Sequence, residues 1–108
     1  MVIWFNSERA LKHLLENKRV YSIRKQRKQF GVTTLNHNKK LMGTVRVSPV
    51  LEMNVTTIEN LIQQLDQYVN ESGFEDSNQW INEIKKLNRN WHIPSYLILI
   101  RVDLIKVV

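Results

Sequence analysis

The chain has 108 residues, a formal net charge of +6 and no cysteine. That length suits one compact domain and is short for two. The missing thiols exclude disulfides and thiolate metal sites, while 43% hydrophobic and 24% charged residues exclude a disordered tail. The charge is unevenly spread. Residues 1–50 carry eleven Lys or Arg against Glu8 and Glu16, a net +9, whereas residues 51–108 carry five against eight acidic groups, a net −3. Such asymmetry points to a polyanion partner on one side of the molecule. A solubilising surface is the other reading of charge alone.

In chain order, Val2 to Phe5 reads as a first strand. It turns polar at Asn6, so no secretory leader is expected. Asn6 or Ser7 can cap a helix whose apolar face is Ala10, Leu11, Leu14 and Leu15. Arg19 to Arg24 returns to β character through Val20, Tyr21 and Ile23. Residues 25–40 are polar and basic, with Val32 to Leu35 a short strand leading into the turn-like Asn36-His37-Asn38-Lys39-Lys40. Leu41 to Met53 is the clearest strand, since Val45 and Val47 alternate with Thr44, Arg46 and Ser48. Pro49 removes a ladder donor, so that strand lies at an edge or bends there.

Thr56 and Glu59 match a capping box for the next helix, with Leu61, Ile62, Leu65, Tyr68 and Val69 on one face. Gly73 is suited to a left-handed stop, and Phe74 to the contact that often follows one. Asp76 or Ser77 starts a third helix with Trp80, Ile81, Ile84 and Leu87 inward. After Pro94 a last strand, Tyr96 to Val107, begins apolar on both faces and then alternates through Arg101, Val102, Asp103 and Leu104. Its longest aliphatic–aromatic run, Tyr96 to Ile100, is far short of the roughly 20 residues that span a bilayer. A soluble, cytoplasmic protein is expected. The order β-α-β-(β)-β-α-α-β favours hairpins over repeated crossovers, hence an α+β fold: a small mixed β-barrel or sheet with about three helices, formed by residues 1–108 as a single domain.

Two local signatures give this order a resemblance to the ASCH domain family of the PUA-like superfamily. Asn17-Lys18-Arg19-Val20-Tyr21-Ser22-Ile23-Arg24 is similar to the family's glycine–x–lysine–threonine–x–threonine–x–arginine segment. Glu71-Ser72-Gly73-Phe74, followed by Trp80, is similar to its Glu-Gly-Phe turn ahead of a Trp-bearing helix. Gly43-Thr44-Val45-Arg46-Val47 resembles its glycine-led central strand, and Tyr96 to Val102 its closing strand. The likeness runs from about Glu16 onward, but the family's Gly-Asp turn before the middle strands is missing from residues 25–40. The resemblance implies a PUA-like barrel and RNA binding.

It also raises a hydrolase alternative, because some members deacylate an acetylated cytidine with a lysine, a threonine and a glutamate. Those positions carry Arg19, Ser22 and Ser72 here, with Glu71 one residue away. Ser22 can serve as a nucleophile, but Arg19 stays protonated and is a very poor base. His13, His37 and His92 have no second ligand at metal-binding spacing, and three isolated glycines form no phosphate-cradling fingerprint. Neither a metal nor a cofactor is expected.

Binding is the better-supported chemistry. Lys18, Arg19, Arg24, Lys25, Arg27 and Lys28 put six cations in eleven positions, Ser22 lies among them, and Lys39, Lys40 and Arg46 follow. Phosphates take cationic donors, and unpaired bases take aromatic or guanidinium planes. Tyr21 is expected in the core, as are Trp4 and Trp80, and with less force Trp91. The competing readings of the basic run are a solvated loop and an adaptor surface for an acidic protein.

Overall fold

The computed structural model describes residues 2–5, 7–25, 30–87, 92 and 95–108, without the side chains of Val2 and Ser95. The elements run β1 (Val2–Trp4), α1 (Glu8–Asn17), β2 (Arg19–Arg24), β3 (Gly31–His37), β4 (Lys40–Val55), α2 (Ile58–Asp66), a 3-10 turn (Val69–Glu71), α3 (Ser77–Leu87) and β5 (Ser95–Val107). One mixed five-stranded sheet has the order β1-β3-β4-β5-β2. Only β1 and β3 pair in parallel, and the other ladders are antiparallel. The sheet curls into a half-barrel.

The curl brings its two edge strands together. From β2, Arg24 Nη1 donates to the carbonyl of Trp4 at 2.8 Å, and its guanidinium lies 5.0 Å from the centre of the Phe5 ring. Helix α1 crosses from one edge to the other and plugs the inner face.

Ser7 is the cap of α1, its hydroxyl accepting from the Ala10 amide at 3.3 Å. Ala10, Leu11 and Leu14 then meet Ile3, Phe5, Val20, Leu35, Val45, Val47, Ile98, Ile100 and Val102 in the inner core. A second core forms on the outer face, where α2 and α3 lay Leu61, Leu65, Trp80 and Ile81 over Leu97, Leu99, Met53 and Val55. Strand β5 therefore has buried residues on both faces from Leu97 to Ile100, at 1, 4, 0 and 0% exposure. It lies between β4 and β2, as its doubly apolar start predicts.

Long strand β4 serves both cores by changing face midway. Its pairing passes from Pro49↔Ile100 to Leu51↔Leu99, leaving Val50 as an inserted residue. Val45 and Val47 before the bulge point inward, and Leu51, Met53 and Val55 after it point outward. Pro49 thus lies at the bend, two residues past the last β3 partner at Val47, where β4 is paired with β5 alone among the described residues.

Two local expectations need correction. The cap of α2 is Thr57, which accepts from the Asn60 amide at 3.1 Å, one residue beyond the Thr56 box. The helix also stops at Asp66, earlier than its apolar face implies, and continues as the 3-10 turn. Asp76 caps α3, accepting from the Gln79 amide at 2.8 Å.

Gly73 has φ +92°, as a left-handed stop requires, and an added Cβ there would lie 2.7 Å from the Arg9 carbonyl oxygen of α1. Arg9 also spans the junction, donating to Gln79 Oε1 at 3.0 Å and lying over the Phe74 ring. Gly31 has φ +109° but open space around it. Gly31→Ala should cost about 1 kcal/mol from backbone strain alone, and Gly73→Ala about 2 kcal/mol or more, because strain is joined by a backbone clash. Urea midpoints of the two variants check this, and equal losses would contradict the close approach of α1.

Candidate nucleic-acid interface

The helices cover only one end of the outer sheet face. At the other end three strands bring charged residues into one row, with Arg46 of β4 and Arg19 of β2 both in register with Asp103 of β5. Residues directly opposite one another share a face, so Arg46, Asp103 and Arg19 point the same way. The adjoining row is Ser48, Arg101 and Tyr21, and on the far side Thr44 pairs with Lys106. Arg19 and Arg46 are about 10 Å apart across two strand spacings.

Asp103 organises two of these cations. Its Oδ1 accepts from Arg19 Nε at 2.9 Å and its Oδ2 from Arg101 Nε at 3.0 Å. The arginine side chains remain 44 and 39% exposed, against 24% for Asp103. Each bond uses Nε, and a guanidinium carries further N–H donors suited to a phosphate. The hydrogen bond that Arg19 donates to Asp103, then the Asp103 charge, and to a smaller degree Glu71 raise the Arg19 pKa above its ordinary value. Arg19 is a fixed cation.

The sequence-derived candidates divide by position. Arg19 and Arg46 share the open row. Lys18 stands beside them, exposed, at the left-handed residue that ends α1 (φ 67°). Lys39 and Lys40 belong to the β3–β4 hairpin, whose turn residues Asn38 and Lys39 both have positive φ. This tip is about 20 Å along β4 from Arg46. Lys25 is exposed beyond the far end of β2. Ser22 and Arg24 alternate onto the inner face with buried Val20, and Arg24 is the residue that ties the two edges together. Arg27 and Lys28 lie outside the described residues, as does Trp91.

Two cations of the row, Arg101 and Lys106, are absent from the sequence-derived set. The alternation through Arg101 and Asp103 was the available signal, but it becomes a site only when β5 is known to sit between β4 and β2. Among the aromatic residues, Trp80 is buried and Tyr21 packs half-buried against Tyr68, their rings 5.1 Å apart. Trp4 corrects the expectation of a core tryptophan. Strand alternation sends Ile3 and Phe5 inward and leaves Trp4 44% exposed on the outer face.

The two signatures do approach one another, since β2 touches the 3-10 turn. Yet Ser72 is fully buried, donating to the Val69 carbonyl at 2.6 Å and accepting from the Phe74 amide at 3.1 Å. Its hydroxyl closes a turn. Ser22, facing inward, does not share a surface with Arg19 and Tyr21. No group of three His, Asp or Glu residues able to hold a metal occurs among the described residues. No described helix is long and apolar enough to cross a membrane. Comparison with protein-family models, with curated proteins and with solved structures returns no match.

This arrangement separates Ser22 from the groups a deacylase would need. The purified protein is expected to release no acetate from acetylated cytidine. Turnover that disappears in Ser22→Ala would contradict the assignment of that hydroxyl to the inner face.

Proposed function

We propose that the protein is an ASCH-like nucleic-acid-binding domain that holds RNA on the open half of its outer sheet face. The observation that carries the reading is the in-register row of Arg46, Asp103 and Arg19 on a sheet surface the helices leave uncovered. Arg101 and Lys106 extend the row, so four cations surround one carboxylate. A sheet face lined with guanidinium groups suits a flexible phosphate chain, and guanidinium planes also accept unstacked bases.

Charge on the rest of the molecule supports the same orientation. Residues 58–87, which form the helical cover, hold Glu59, Asp66, Glu71, Glu75, Asp76 and Glu83 against Lys85 and Lys86. A polyanion is therefore attracted to the open half and repelled by the covered half. An adaptor for an acidic protein would use the same cations but would have no need of stacking planes. A cysteine-free, basic chain also suits work on RNA in the cytoplasm.

If Arg19, Arg46, Arg101 and Lys106 each neutralise one phosphate, single-strand affinity should fall with salt at a log–log slope of about −3. Doubling the salt then weakens binding about sevenfold. Arg46→Gln combined with Lys106→Gln removes two contacts and should move the slope by about 1.4 toward zero. Electrophoretic mobility shifts at a series of salt concentrations measure this, with circular dichroism recorded on the same samples. A folded double variant with the parental affinity and slope would contradict the proposed face.

A further inference from the structure

One acidic side chain sits in the middle of a row built from cations. Asp103 of β5 is in register with Arg46 on one side and Arg19 on the other. Arg101 lies two residues before it, on the same face of its own strand. A carboxylate repels phosphate, so on charge alone Asp103 weakens the surface proposed to hold RNA. Fold stability does not account for it, because the arginine partners are 44 and 39% exposed and exposed ion pairs contribute little.

The bonds that Asp103 makes are selective. Arg46 stands directly opposite, yet no hydrogen bond or ion pair joins the two. Both carboxylate oxygens are taken instead by Nε of Arg19, at 2.9 Å, and Nε of Arg101, at 3.0 Å. A guanidinium carries its N–H donors in one rigid plane, so holding Nε constrains where the others point. Among the described residues no acceptor meets those outer N–H groups on either arginine. The row therefore contains two kinds of cation. Arg19 and Arg101 are braced by Asp103, whereas Arg46 and Lys106 have no ion-pair partner among the described residues.

We infer that Asp103 is the positioning residue of the site, bracing Arg19 and Arg101 before the ligand arrives and leaving their outer N–H groups for its phosphates. This inference rests on the proposed binding face and assigns to it an acidic residue that raises affinity. Arginine side chains lose rotamer freedom when a ligand immobilises them. A carboxylate that has already ordered two of them removes part of that loss. Its own charge is offset locally by the same two guanidinium groups.

Charge and position make opposite predictions for Asp103→Asn, which keeps the side chain's shape and removes its charge. The full chain is titrated with a fluorescently labelled single-stranded RNA. If Asp103 braces the arginines, the variant binds about fivefold or more weakly than the parent, despite its added positive charge. If it acts through charge alone, the variant binds as tightly or more tightly, and the inference is overturned. Coupling separates positioning from a merely structural effect. The fold-loss from Arg19→Gln should be at least about twofold smaller in the Asp103→Asn background than in the parent, while Arg46→Gln, the unbraced control, should cost the same in both. Equal losses at Arg19 in the two backgrounds would contradict the brace. Circular dichroism on the same samples establishes whether Asp103→Asn folds. If it does not, the free, unaltered protein decides the matter by NMR. Its Arg19 and Arg101 Nε–H protons should exchange with water more slowly than that of Arg46, and equally fast exchange at all three would overturn the inference. A parent that binds no single-stranded RNA refutes the binding face itself, whereas a parent that binds and a variant at least as tight refute only the role of Asp103.

Discussion

The fold depends on the burial of strand β5 from both sides. Leu97, Ile98, Leu99 and Ile100 are nearly inaccessible in succession, which no one-sided sheet allows. Odd positions face α2 and α3, and even positions face α1. Full burial of each such side chain contributes roughly 1.5–3 kcal/mol, so this one stretch couples the inner and outer cores. Removing a single member, for instance at Leu99, is expected to cost about 2–5 kcal/mol because neither core can collapse to fill the space. The helical cover ends where this double burial ends. From Arg101 onward β5 turns Arg101, Asp103 and Lys106 outward, beside the exposed Ile105, and the site begins there.

The neighbouring strand has to follow β5 through that transition. In β4 the extra residue Val50 reverses which side chains face outward, so one strand supplies Val45 and Val47 to the inner core and Met53 and Val55 to the outer one. Without the bulge, the outward position of Arg46 and the outward position of Met53 would not both be met. The bulge thus lets a cationic row and a helix-binding patch share one strand. The curl of the sheet is fixed by a single side chain, since Arg24 bridges the two edges through the Trp4 carbonyl.

Features set by neighbouring residues were legible in the sequence, and features set by closure were not. The cap of α1, read as Asn6 or Ser7 and found at Ser7, and the stripe Ala10, Leu11, Leu14 and Leu15 depend on one turn of chain and were legible. Gly73 could be recognised as a left-handed stop, although its contact with α1 at Arg9 could not. At α2 two adjacent threonines each precede a suitable partner, Glu59 for Thr56 and Asn60 for Thr57, so local pattern does not choose between them. Trp4 and Arg24 were misjudged for different reasons. Trp4 is turned outward by the alternation of its own short strand, whereas Arg24 meets an edge strand that is not its neighbour in the sheet order. Arg24 read as a phosphate ligand and serves as a clamp, while Trp4 read as core and lies outside. Arg101 and Lys106 joined the site only through the pairing of β5 with β4, a relation between residues more than 50 positions apart in the chain.

The central claim is that the open half of the outer sheet face binds nucleic acid while the helical cover does not. Titration of isotope-labelled protein with a single-stranded RNA oligonucleotide, followed by amide and side-chain NMR shifts, tests it most directly. The account predicts shift changes that cluster at Arg19, Arg46, Arg101, Asp103 and Lys106, with α2 and α3 unaffected. Shifts confined to α2 and α3, or distributed over the surface without regard to the row, would contradict it.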